Sequence, residues 1–360
     1  MRYTRLFIGT LVTVGLLAGL VVSPAYADPP FAPPGLAHAM AAQEAHTDAL
    51  LRIQGVVGTA VGLAEGGPVI KILTEHPGVA GLPRTLDGVP VEVQVTGKIF
   101  ALHHRPGHSG GPGGGGSGIE GGSDCSTTEV CPRPVPIGVS TGNVDECSAG
   151  TIGARVYDNS GLKYALSNNH VYALENQAEL GSKVLQPGRY DTNCAYDPND
   201  IIGYLSAFEP IVFSTSAHNT IDAAVANIDG DGASDPAVDK ATPLNGYGTP
   251  QPSPVSAEVG LNVQKYGRTT QLTKGTITAV NAILNVGYSS GTAKFEDQII
   301  VESGKPFIKA GDSGSLLVTD PGSNPVGLLF AGNRSGKLAV ANRIDLVLGA
   351  FGVSIDGEKQ

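Results

Sequence analysis

The segment Lys309-Ala310-Gly311-Asp312-Ser313-Gly314-Ser315 sets a serine among glycines. Glycine can fold the backbone into a tight turn that exposes the hydroxyl and brings nearby N–H groups to one point. Donors gathered in that way hold the oxyanion of an acyl-transfer intermediate. A serine hydroxyl is a weak nucleophile, so it needs a base, and the base needs a group to orient it. His170 is the base candidate, because the run Tyr164-Ala165-Leu166 enters a polar turn at Ser167-Asn168-Asn169 that presents the imidazole. Asp222 is the orienting acid, standing at the mouth of the apolar Ala223-Ala224-Val225-Ala226. A carboxylate there is costly to bury without a partner, and a histidine is a fitting one. The chain order is His, Asp, Ser, with gaps of 52 and 91 residues. That order departs from folds in which the serine or the aspartate comes first, and Ser315 breaks the G-x-S-x-G pattern.

These residues carry a resemblance. Gly311-Asp312-Ser313-Gly314 resembles the nucleophile turn of trypsin-like serine proteases, and Asn169-His170 and Ile221-Asp222-Ala223-Ala224 resemble their base and acid segments. The stretches from Tyr266 to Thr278 and from Pro325 to Gly332 are similar to segments of the bacterial streptogrisin and α-lytic protease group. The resemblance spans roughly residues 137 to 355. It implies a mainly β fold, a chymotrypsin-like double six-stranded antiparallel β-barrel with the three residues in the cleft between the barrels. It further implies a serine-type endopeptidase acting on a polypeptide substrate through an acyl-enzyme, with no cofactor and no metal. Ser313 would attack, His170 would take the proton, Asp222 would fix the tautomer, and the N–H groups of Gly311 and Ser313 would form the oxyanion hole. The primary pocket falls to Phe307, Ile308, Ala331 and Gly332. No acid stands between Phe307 and Ala310, so a neutral or apolar substrate side chain is expected. The chain also departs from the family, with Val171 where a cysteine usually follows the histidine and Ser315 where a second glycine usually follows the serine.

Short strands broken by Gly, Pro, Asn and Asp must position these groups across residues 134–356. Examples are Thr151 to Val156, Lys163 to Leu166, Ala223 to Ile228, Gly275 to Val280 and Val326 to Ala331, with a last helical segment at Ile344 to Phe351. Upstream, residues 37–102 read as a small α+β N-terminal module. A helix from Ala37 to Ile53 precedes strands at Val56 to Leu63, Val69 to Leu73 and Val91 to Leu102. Residues 103–133 form a Gly-rich linker, whose histidines His103, His104 and His108 read as solvated. By analogy with the similar secreted proteases, the module is either a pro-region that makes the chain a zymogen or a permanent accessory domain.

Arg2 and Arg5, an apolar run from Leu6 to Val22 and Ala25-Tyr26-Ala27 make a signal peptide over residues 1–27. The mature protein is therefore expected to be secreted, extracellular or periplasmic, and free of the membrane. Without Arg2 and Arg5 the balance is 21 basic against 33 acidic residues, or −12. Such a surface repels phosphate backbones and argues against nucleic acid. Of the 360 residues, 50 are Gly and 25 Pro, which excludes a coiled coil or long helical bundle. Export places Cys125, Cys131, Cys147 and Cys194 in an oxidising compartment, where four cysteines allow three pairings. Nearness in sequence favours Cys125–Cys131 with Cys147–Cys194, and the spacings fit no zinc pair. The acids from Asp229 to Asp239 lack the calcium-loop pattern and read as a solvated loop. Two rival functions remain: a catalytically silent double-barrel binding protein, and an esterase-like hydrolase using the same triad.

Overall fold

The computed structural model describes residues 33–102, 125–229 and 236–359. The expected leader, most of the glycine tether with its histidines, and the centre of the acidic loop lie outside the described residues.

The first element is helix α1 (Leu36–Leu51), rich in alanine. It lies on β1 (Val56–Ala64) and β2 (Gly67–Thr74), and Ala39, Ala42 and Leu50 meet Val61, Ile70 and Ile72. Strand β1 is buried along nearly its whole length, because α1 covers it and strands flank it on both edges. The expected strand from Val91 to Leu102 is interrupted: β3 (Thr85–Leu86) and β4 (Val89–Val95) precede a turn at Gly97, where φ is 75°. A separate β5 (Ile99–Ala101) follows.

The first large sheet is built from β6 (Ser140–Asn143), β7 (Gly150–Thr151), β8 (Ala154–Asp158), β9 (Lys163–Ser167), β10 (Lys183–Leu185), β11 (Ile201–Phe208) and β12 (Ala224–Asn227). One turn of helix, α2 (Asn169–Tyr172), interrupts it after β9. The second contains β13 (Asn262–Gly267), β14 (Gln271–Gly287), β15 (Thr292–Glu302), β16 (Leu316–Thr319), β17 (Pro325–Asn333) and β18 (Leu338–Arg343). The order β13-β16-β17-β18-β15-β14 returns to β13, so six antiparallel strands close on themselves. Val263, Ile277, Val301, Phe307, Leu317 and Leu329 form its interior. Helix α3 (Ile344–Phe351) then leads to β19 (Val353–Ile355), which pairs with β8 and ties the chain's end to the first sheet. The fold is thus mainly β, with two curled antiparallel sheets, as expected.

Strand β1 pairs with β14, so the strands of residues 56–95 extend the second sheet. Gln94 donates to Glu302 at 2.6 Å, and Asn281 donates to Gln43 and Glu44 at 2.9 Å each. The cysteines are bonded as Cys125–Cys131 and Cys147–Cys194.

Candidate active site

His170 sits on α2, immediately after strand β9 delivers the chain to the space between the sheets. Its Nδ1 lies 2.5 Å from Asp222 Oδ2, and its backbone N–H donates to Asp222 Oδ1 at 3.1 Å. Both side chains are fully buried. Asp222 is held by its own backbone as well. Asn342 Oδ1 accepts from its N–H at 3.0 Å, and Asn168 Nδ2 donates to its carbonyl at 2.7 Å. The first bond comes from β18 of the second sheet and the second from the turn before α2, so the Asp222 backbone is fixed from both sides of the cleft. Tyr288 donates its phenolic hydrogen to Asp222 Oδ2 at 2.9 Å. Burial, reinforced by the charge of Asp222, pushes the Tyr288 hydroxyl well above its ordinary pKa, so it remains a donor.

The turn that carries Ser313 runs between β15 and β16. Gly311 and Gly314 both have positive φ, 94° and 92°. A Cβ at Gly311 would lie 2.6 Å from Thr269 Oγ1, and one at Gly314 would overlap Ser167 Oγ and Thr151 O. These two positions require glycine for conformation and for space. The Asp312 carboxylate accepts from the N–H groups of Thr269 at 2.8 Å, Thr270 at 3.0 Å and Lys309 at 2.9 Å, and from the Thr270 hydroxyl at 2.7 Å. The ammonium of Lys265 stands 3.7 Å away, and both side chains are buried. Burial, partly offset by Asp312, pushes Lys265 down to about 8.

The two departures from the family pattern are accommodated. Val171 packs onto Gly150, where a Cβ would be only 2.5 Å from a Val171 methyl. Ser315 donates to Asp312 O at 2.6 Å, and its hydroxyl fills space that a side chain at Gly267 would claim.

The chain itself occupies the cleft. Strand β5 lies antiparallel to β17, pairing Ala101 with Ala331, Phe100 with Gly332 and Ile99 with Asn333. The Leu102 N–H donates to Phe330 O at 3.2 Å. The Leu102 carbonyl oxygen accepts from the Gly311 N–H at 3.0 Å and lies 3.1 Å from Ser313 Oγ. Of the two oxyanion-hole residues read from the sequence, Gly311 reaches this oxygen by its N–H and Ser313 by its hydroxyl. The Leu102 side chain packs on the cluster that holds Phe307 and Ile308, and its methyl group stands against Gly332. Ala331 contributes its backbone through the β5 ladder. Ser313, His170 and Asp222 are all 0% exposed under this cover.

Two participants have no sequence motif: Leu102 and Tyr288. The break at Thr96-Gly97 could have marked β5 as a separate strand, and Gly287-Tyr288-Ser289-Ser290-Gly291 is a readable hairpin tip.

A family model described as the Nal1 C-terminal domain matches residues 250–355. No curated protein matches the chain. Among solved structures, the chain is similar to a glutamic acid-specific serine protease described as using a histidine triad in substrate binding. The identity is 21% and the TM-score 0.43, over 61% of this chain and 100% of that one. It is also similar to Thermobifida fusca protease A, at 20% identity and TM-score 0.44 over 62% of this chain and 99% of that one. For Cellulomonas bogoriensis chymotrypsin the values are 22% and 0.41, over 62% and 99%.

Proposed function

We propose that this chain is a serine endopeptidase made as a zymogen, with Ser313 as nucleophile, His170 as general base and Asp222 as the carboxylate that orients it. The observation that carries this reading is the Leu102 carbonyl, held by the Gly311 N–H and the Ser313 hydroxyl while residues 99–101 pair with β17. A peptide carbonyl oxygen placed on an oxyanion donor beside the serine hydroxyl lies where the substrate of an acyl transfer would sit.

The bond in place is Leu102–His103. Ser313 Oγ forms a bond to the Leu102 carbonyl carbon while His170 takes the hydroxyl proton. The Gly311 N–H holds the negative oxygen. The Leu102–His103 C–N bond then breaks, and His170 passes the proton to the departing amine. Water attacks the acyl ester, giving its proton to His170, which returns one to Ser313 Oγ. Leu102 becomes a carboxylate. Asp222 stabilises the imidazolium through both proton transfers and keeps Nε2 as the base.

Residues 37–102 then act as a pro-region. The β1–β14 ladder and the ion pair of Lys294 with Asp48 retain the fragment after the cut, with β5 still over the cleft. Activity appears once the fragment is lost. The Leu102 side chain against Phe307 and Ile308 supports a preference for apolar residues on the acyl side of the bond. The two disulfides suit an exported protein.

The test is to express the full chain and its Ser313→Ala variant in an exporting host. The native chain should yield a fragment ending at Leu102 and, after its removal, label with a phosphonate probe and hydrolyse casein. Ser313→Ala should stay whole and unlabelled. A variant chain still cut after Leu102 overturns self-cleavage, and labelling that survives the substitution overturns the serine mechanism. Activity on short esters without casein hydrolysis would favour the esterase instead.

A further inference from the structure

Strands β14 and β15 belong to the second sheet, yet the tip of their hairpin reaches across to the first. Tyr288 N–H donates to Gly291 O at 2.8 Å, closing a tight turn. Just before that turn, the Tyr288 phenol meets Asp222 Oδ2, the same oxygen that faces His170 Nδ1. The Tyr288 ring stands edge-on to the imidazole, with centroids 6.0 Å apart. Behind it, Phe295 stacks on the ring at 6.1 Å and Phe213 meets it edge-on at 5.5 Å. Those contacts hold the ring whether or not it carries a hydroxyl.

A second carboxylate of the first sheet's side holds the next two residues. Glu175 follows α2 with a φ of 57°, in a run of positive φ from Leu174 to Asn176. It accepts from the Ser289 hydroxyl at 2.5 Å and from the Ser290 N–H at 2.7 Å. Burial alone would raise the Glu175 carboxyl, but the bonds from Ser289 and Ser290, with His170 nearby, hold it below its ordinary value. The hairpin tip is therefore pinned at two points, by Asp222 and by Glu175, on the two sides of the imidazole's support.

We propose that Tyr288 is a positioning residue for the His170–Asp222 pair, and that Glu175 is the clip that keeps it there. The phenol adds a third hold on the Asp222 carboxylate, on the oxygen that faces Nδ1, while the His170 backbone N–H holds the other oxygen. It holds the carboxylate plane along the line from Asp222 to His170. The groups facing His170 in this arrangement are Asp222, the Tyr288 phenol and, further off, Glu175. This role rests on the serine-peptidase reading above, but the Tyr288–Asp222–His170 chain can be observed without any turnover.

The test uses Tyr288→Phe, which keeps the stacked ring and deletes one oxygen, with Glu175→Gln as a milder second variant. In the Ser313→Ala background, the proton on His170 Nδ1 is followed by NMR as a strongly deshielded signal. Tyr288→Phe should move that signal and hasten its exchange with water. In the active protein, freed of its N-terminal fragment, Tyr288→Phe should lower kcat roughly tenfold with KM little changed, the size of one hydrogen bond to a charged group. Glu175→Gln should produce smaller shifts in the same directions, and both variants should unfold near the parent's temperature. If Tyr288→Phe leaves the NMR signal and kcat in place while labelling still depends on Ser313, the positioning role is overturned and the peptidase reading stands. If the parent never labels or hydrolyses, yet the NMR signal responds to Tyr288→Phe, the peptidase reading falls and the hydrogen-bonded chain survives. A Glu175→Gln variant indistinguishable from the parent removes the clip.

Discussion

Asp222 and Asp312 are both fully buried carboxylates, on opposite sides of the same cleft, and their surroundings differ in kind. Asp312 is surrounded by fixed donors: three backbone N–H groups, a threonine hydroxyl and the ammonium of Lys265. None of these donors moves a proton during an acyl transfer. Asp222 faces an imidazole and a phenol through the same oxygen, and in the proposed mechanism the imidazole gains and loses a proton in each turnover. One carboxylate shapes a turn, and the other answers a charge that comes and goes. Burial alone does not tell them apart; the chemistry of their partners does.

The sharpest way to break that contrast is to neutralise each carboxylate in turn. Asp222→Asn keeps the shape but presents the wrong hydrogen-bonding face to His170, and should lower kcat by roughly 10⁴ with little loss of stability. Asp312→Asn should do the reverse. It removes the negative charge facing the buried ammonium of Lys265, which keeps its bonds to Thr270 and Gln271, and turns an N–H₂ group toward the donors on Thr270 and Lys309. The cost should be about 3–5 kcal/mol of unfolding free energy. Urea unfolding alongside steady-state kinetics on both variants checks the pair. Equal losses of stability would erase the distinction between the two sites.

Lys265 offers a pH-dependent version of the same test. Its folded pKa of about 8 lies below its ordinary value, so the unfolded chain binds its proton more tightly than the folded one. The cost of burying the charged ammonium is present in full below pH 8 and is relieved as pH rises toward the unfolded value. The folded protein should gain on the order of 3 kcal/mol from this group across that window. Other groups titrate there too, so the comparison is between the parent and Lys265→Met, unfolded in urea at pH 7.5 and pH 10. The difference between them should shift with pH in the stated direction. A constant difference would mean that the lysine keeps its charge throughout.

The sequence states the chemistry of the site more clearly than its cover. Ser313 and its two glycines are legible because a turn of that shape admits few residue types, and His170 and Asp222 are found from order and spacing. The short strands are legible from their turn residues, although β14 reads as only the stretch from Gly275 to Val280. Its remainder is obscured by Asn281 and Asn285, polar residues inside a strand. Asn281 has a φ of 51° and bonds to Gln43 and Glu44 of the N-terminal segment, so its reason lies more than two hundred residues away. The same holds for Leu102 and Tyr288. A leucine before a glycine tract and a tyrosine beside a hairpin turn are locally ordinary. Their roles come from pairing β5 with β17 and from hairpin reach, neither of which a short window encodes.

The smallest expected effect tests whether the cover is held mainly by its backbone or by its side chain. The ladder with β17, the Leu102 N–H bond to Phe330 and the Gly311 bond to the Leu102 carbonyl are all main-chain contacts, indifferent to the residue at 102. Only the packing on Gly332 and on the apolar cluster that holds Phe307 and Ile308 depends on leucine. Leu102→Ala should therefore leave β5 in place and the chain as stable as before, within about 1 kcal/mol. It should slow the first-order cleavage after residue 102 by roughly tenfold, the worth of a few methyl and methylene groups in an apolar pocket. Leu102→Asp, which puts a charge against the same apolar wall, should stop cleavage within the same assay. The rate is followed by mass spectrometry after purification of freshly exported chain. Alanine cleaved as fast as leucine would show that the main chain alone presents the bond to Ser313, and that Phe307 and Ile308 select nothing at this position.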